Sequence, residues 1–198
     1  MKPRALNLIL VLSLALFAVA GCSNHDGNEW ERVVCEVESV NLGQPLVSAY
    51  LNVGSDQESG TNDDTFPIDI VPVLFRARPY NGTMIIPEDA AQSWFHVTNY
   101  DLIWHGGPGA PAELSQHNIT NGMCEAIVPL HEEGVTSVLI ADRVLKDAPW
   151  FVNAVVTNGG TFTAACELHF KGHESGNSRV VTVEAGFMVT FIGAVADD

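Results

Sequence analysis

Several groups of residues have types and spacings that could do chemistry. His105-Gly106-Gly107 is one, because a His-Gly-Gly loop can present backbone N–H groups to an oxyanion in serine hydrolases. The companion requirement is a Gly-x-Ser-x-Gly elbow between a strand and a helix. The nearest candidate, Gly172-His173-Glu174-Ser175-Gly176, has Ser175 one position late and in a polar turn. Hydrolysis by His105 and Ser175 therefore ranks last among the functional readings. His169 and His173 are four apart, a spacing that on a helix would put both imidazoles on one face. On a strand rising about 3.3 Å per residue they lie roughly 13 Å apart, too far to share a metal. His131-Glu132-Glu133 lacks the second histidine of a metalloprotease helix.

Oxygen-rich side chains collect in one place only. Asp56, Glu58, Asn62, Asp63 and Asp64 lie in the polar stretch Gly54 to Asp64, and calcium takes six to eight oxygens of the kind such a loop can supply. The EF-hand pattern fails, with Thr61 where glycine is needed and Pro67 where the bidentate acid belongs. A solvated acidic loop accounts for the same residues, so no metal or other cofactor is assigned, and Asp56, Glu58, Asp63 and Asp64 stand as the candidate calcium ligands. Trp94, Trp104, Trp150 and Tyr100 could stack on sugar rings or fill the core, and Trp104, beside a Gly/Pro-rich loop, is expected near the surface.

Cys22 carries a different chemistry. It follows a positive segment with Lys2 and Arg4, a largely apolar run from Leu6 to Ala20, and the small residues Ala20 and Gly21 that a signal peptidase requires. The apolar run is short for a membrane span. Val19-Ala20-Gly21-Cys22 resembles the lipobox of bacterial lipoproteins. That resemblance implies cleavage after Gly21, a diacylglycerol on the Cys22 thiol and acylation of the new amino terminus, so that residues 1–21 are a signal peptide. Two or three acyl chains, at about 0.8 kcal/mol per buried methylene, anchor firmly where one does not. In such lipoproteins an Asp after the cysteine commonly retains the protein at the inner membrane. Ser23 stands there, which implies the outer membrane, facing the periplasm or the cell surface.

Loss of residues 1–21, with two basic and no acidic side chains, takes the formal charge from −15 to −17 and leaves 177 residues. An acidic chain without Lys/Arg clusters excludes nucleic acid as a partner and leaves the lipid on Cys22 as the membrane contact. Three further cysteines, Cys35, Cys124 and Cys166, match no zinc spacing. One disulfide and three buried thiols are both open.

Residues 22–30 read as the lipidated cysteine and a short polar tether, and residues 31–198 as one domain. Period-two alternation predicts strands over Arg32 to Val40, Phe66 to Arg78, Met123 to Leu130, Trp150 to Val156, Thr161 to Lys171 and Val181 to Phe191. The aromatic and β-branched content of Trp94 to Trp104 predicts another, and Leu46 to Val53 and the apolar stretch Val135 to Ala141 are further strand candidates. The apolar phase changes at Ile70-Val71, predicting a bulge or a switch of sheet, and Pro67 and Pro72 predict an edge position. Pro87 to Gln92 could form one helical turn. The last two strands form a long amphipathic hairpin. About eight or nine strands without a helix of normal length predict an all-β, antiparallel sandwich.

The run Val97 to Trp104, the Asn158-Gly159-Gly160 turn and the hairpin from Cys166 to Phe191 resemble uncharacterised bacterial lipoproteins with an Ig-like β-sandwich. The resemblance implies the fold and a lipid anchor and assigns no catalytic residues. Cys124 and Cys166 flank Trp150 as in antibody-type domains, although Trp150 lies nearer the second cysteine than that pattern requires, and an inter-sheet bridge Cys124–Cys166 is the corresponding expectation. The functional expectation is a non-enzymatic interaction or structural module with a protein partner. The alternative is a ligand-binding module for calcium or a glycan.

Overall fold

The computed structural model describes residues 33–53, 64–80 and 94–196, all within one compact unit, Arg32–Asp198. Among the described residues, eight strands form two sheets. A three-stranded sheet has the order β1 (Val33–Val40), β3 (Asp69–Pro79), β6 (Glu133–Ala141). A five-stranded sheet has the order β2 (Leu46–Val53), β8 (Val181–Ala196), β7 (Phe162–Glu174), β4 (Trp94–Gly106), β5 (Ile119–Pro129). No helix among the described residues is long and apolar enough to cross a membrane.

The alternation read from the sequence sets which side chains are buried. On β7, Phe162, Ala164, Cys166, Leu168 and Phe170 point into the core while Glu167, His169 and Lys171 point out. The inner faces of the two sheets meet in one hydrophobic core. Phe75 of β3 packs edge-on to Phe170 of β7 at 4.9 Å, and the Tyr100 hydroxyl of β4 donates to the Leu139 carbonyl of β6 at 2.9 Å. Each such fully buried aromatic side chain contributes about 1.5–3 kcal/mol of transfer free energy.

Four expectations are corrected. The arrangement is not wholly antiparallel: β2 runs parallel to β8, from Leu46↔Val189 to Val53↔Ala196. The chain crosses from the first sheet to the second at Asn41-Leu42-Gly43, where all three residues have positive φ, and this crossing sets the direction of β2. The segment Trp150 to Val156 is helical, with a turn at Pro149–Val152 and a π-turn at Asn153–Thr157. Pro149 presets the first helical φ, and the buried residues Phe151 and Val155 are four apart, so the helical period prevails over the alternation of Trp150, Val152, Ala154 and Val156. β3 is a central strand; its Pro72 is tolerated because pairing with β1 stops at Val40↔Val73, leaving β6 as the neighbour there. Trp104 is 3% exposed and packs on Phe191.

A register shift is present between Asp69 and Ile70, its extra residue being Ile140 of β6. β3 itself keeps one phase, with Asp69 and Val71 buried and Ile70 exposed. The apolar Phe66, Ile68 and Ile70 are thus left outside while Asp69 points inward, where it meets Lys146 of the turn Arg143–Lys146. The cysteine bridge is absent: Cys35, Cys124 and Cys166 are free thiols. Cys124 and Cys166 belong to the same sheet with β4 between them, so their strands are about 9–10 Å apart, beyond disulfide reach. The helical turn expected at Pro87 to Gln92 lies outside the described residues.

Candidate functional site

The outward side chains of β4 and β7 form an ion-paired stripe. The register places Asp101 opposite His169, Ile103 opposite Glu167 and His105 opposite Ala165, so Glu167 lies between two imidazoles. His105 Nε2 is 2.6 Å from Glu167 Oε2, and His169 Nε2 is 2.6 Å from Glu167 Oε1. These two hydrogen bonds, from His169 first and His105 second, hold the Glu167 carboxyl below its usual range. Next along the stripe, Lys171 Nζ lies 2.6 Å from Asp101 Oδ2, and the Asn121 backbone N–H donates to Asp101 Oδ1 at 2.7 Å. Both contacts depress the Asp101 pKa, with the Lys171 hydrogen bond the larger cause.

This geometry does not assemble a hydrolase from the residues named for one. Ser175 lies beside Trp94, whose N–H donates to its Oγ at 3.3 Å, whereas His105 is at the far end of the same strand. Eleven residue steps at about 3.3 Å put them roughly 35 Å apart. The Gly107 N–H, which an oxyanion hole would use, instead donates to the Thr163 carbonyl at 3.0 Å.

A second cluster occupies the other end of this face. His173 pairs with His96 across β7 and β4, their rings 5.3 Å apart, and both touch Trp94 at 6.3 and 5.8 Å. Beside them β4 is bulged: its pairing with β5 jumps from Val97↔Ala126 to Asn99↔Met123, setting Thr98 against Cys124 and Glu125. The pairing with β7 skips Thr98 as well, from Val97↔Gly172 to Asn99↔Lys171. At this break opens a hollow of about 410 Å³ lined by His96, Thr98, Met123, Cys124 and Glu125.

The outer face of the three-stranded sheet is different in kind. Ile70 and Leu74 of β3 lie beside Leu139 and Val135 of β6, with Ile70 60% and Val135 61% exposed. Phe66 and Ile68, leading into β3, are also exposed. One end of this apolar block is bounded by ion pairs: Arg76 with Glu38 and Glu133 at 3.2 and 3.0 Å, and Arg78 with Glu36 at 3.4 Å.

Of the remaining sequence candidates, Cys22, Asp56, Glu58 and Asp63 lie outside the described residues, and Asp64 opens the segment that follows the acidic stretch. Among the described residues no group of three His, Cys, Asp or Glu is placed to hold a metal ion. Tyr100 and Trp104 are core residues, Trp94 is partly buried, and Trp150 is partly buried against His117 at 5.4 Å. Sequence reasoning missed the junction at Glu167 and the apolar block. The outward position of Glu167 and His169 was visible in the alternation, but their partner His105 depends on strand register. No family model matches the chain, and no curated protein and no solved structure matches it.

Proposed function

We propose that the chain is a bacterial lipoprotein held at the outer membrane by lipid on Cys22, with an Ig-like β-sandwich that acts as a non-enzymatic interaction module for a protein partner. The observation that carries the interaction role is the apolar outer face of the three-stranded sheet around Ile70, Leu74, Val135 and Leu139. An exposed apolar block bordered by charged pairs is the composition of a contact surface, since a solvated sheet face would alternate to polar side chains. Four of the outward positions that water should occupy are instead aliphatic.

Both parts are open to direct test. Cys22→Ser is expected to move the protein from the detergent phase to the aqueous phase and to leave it uncleaved, and unchanged partitioning would refute the anchor. Charged residues at Ile70 and Val135 are expected to abolish stoichiometric capture of the partner.

A further inference from the structure

We propose that the hollow at the β4–β5 bulge binds a neutral pyranose sugar, a site on the opposite sheet from the apolar face and independent of it. His96 Nε2 is buried without a hydrogen-bond partner, although Glu125 Oε1 lies 3.4 Å away. A buried polar atom left unpaired is destabilising, and a ligand group completing the contact relieves that cost. The adjacent carboxylate favours the imidazole tautomer with its proton on Nε2, and movement of the 78% exposed Glu125 side chain opens that buried N–H, leaving one donor and one acceptor a few ångströms apart. A hydroxyl accepts from the first and donates to the second at once. An ammonium, which only donates, leaves the imidazole N–H opposed.

A polyol is the ligand class that repeats such a group along a ring. The bulge leaves Cys124 and Glu125 outside the paired register of β4 with β5, and the Thr98 hydroxyl, whose proton goes to Asn99 Oδ1 at 2.8 Å, offers its oxygen as an acceptor. For the apolar face of the sugar there are the His96 ring, in contact with Trp94, and the Met123 side chain, which is 89% exposed. The hollow falls within the usual range of small-ligand sites, about 300–1,000 Å³.

The test is a titration of the purified full chain, followed by tryptophan fluorescence and saturation-transfer NMR. The probes are glucose, galactose, mannose and N-acetylglucosamine, with their short oligomers, and spermidine as a cation probe. At least one neutral sugar is expected to bind saturably at up to about 20 mM. Glu125→Gln and Met123→Ala, both at exposed side chains, should weaken it by roughly tenfold, the loss of about 1.4 kcal/mol. His105→Ala, at the far end of the same face, should not change it. Trp94→Phe should keep binding by retaining a ring, and Trp94→Ala should lose it. Absence of saturable sugar binding, equal binding by Glu125→Gln, or saturation by spermidine alone would each overturn the proposal.

Discussion

Lys146 Nζ lies 2.8 Å from Asp69 Oδ2 with both side chains nearly excluded from water, at 3% and 9% exposure. The ammonium also donates to the carbonyls of Ala49 and Pro67 at 2.7 and 2.8 Å, so its three protons are all used. The Ser48 hydroxyl donates to the same carboxylate oxygen at 2.6 Å. Ser48 belongs to β2 and Asp69 to β3, so the network ties the edge of the larger sheet to the centre of the smaller one. Removing one member of a buried pair strands the other, which typically costs about 3–5 kcal/mol. Lys146→Met and Asp69→Asn should therefore each lower the urea midpoint by that equivalent, and Ser48→Ala by about 1 kcal/mol. A loss below about 1 kcal/mol for Lys146→Met would contradict the assignment.

The Glu167 stripe gives the acid limb of stability a specific origin. Hydrogen bonds from His169 and His105 lower the folded-state pKa of Glu167 below its unfolded value, so the unfolded state takes up the proton first. The contribution is complete above the unfolded carboxylate pKa of about 4.3 and is lost as pH falls through the lower folded value. Asp101 behaves likewise through Lys171. Urea midpoints measured from about pH 5 to about pH 2 should fall less steeply for Glu167→Gln than for the wild type. Parallel profiles would show that the two imidazole contacts do not persist in solution.

Gly172 is a position where a methyl group has no room. Its Cβ would lie 2.4 Å from the His96 carbonyl oxygen and from the Phe95 ring, both on the adjacent strand at the bulge. Gly172→Ala should cost about 1–3 kcal/mol by overpacking. At Gly186 the corresponding contact is 3.2 Å to the Cys166 carbonyl, and Gly186→Ala should be the milder of the two. Thermal unfolding of the pair checks the order, and equal stabilities would contradict it.

The three thiols of the domain should be inert while it is folded. Burial pushes Cys35 and Cys166 up to about 12 and Cys124 to about 11. At pH 8 about one thiol in a thousand or fewer is then ionised. A chromogenic disulfide reagent should react slowly with the native protein and rapidly with all three thiols in denaturant. Rapid native labelling of Cys166, or a thiol missing after denaturation, would count against this.

What was legible in the sequence follows from how local the cause is. The closing pair of strands was plain, because burial alternates from Phe162 to Phe170 and from Val183 to Phe191 without interruption. The change of apolar phase before Val71 was visible, but its meaning was not: burial alternates unbroken through Asp69, Ile70 and Val71, and the partner of the inward Asp69, Lys146, is far away in the chain. The parallel pairing of β2 with β8 is likewise a choice of partner that no local pattern encodes. Trp150 to Val156 misled because two periods fit it, and only the core contact of Phe151 with Phe162 and Phe191, at 5.8 and 5.3 Å, decides between them. At the candidate sites, side-chain direction could be read and strand register could not. His105 and Glu167 were therefore both identifiable as outward residues, but not as partners.

The most direct test of the interaction role is cross-linked capture from gently solubilised membranes, with the stoichiometry of each captured protein measured. The baits are the wild-type chain, Ile70→Glu/Val135→Glu and, as a control on the other sheet, Glu125→Gln, all first shown to share one urea midpoint. The wild type and Glu125→Gln are expected to retain one protein partner in stoichiometric amount, and Ile70→Glu/Val135→Glu to lose it. Equal capture by the doubly charged variant, or no stoichiometric partner with any bait, would contradict the account.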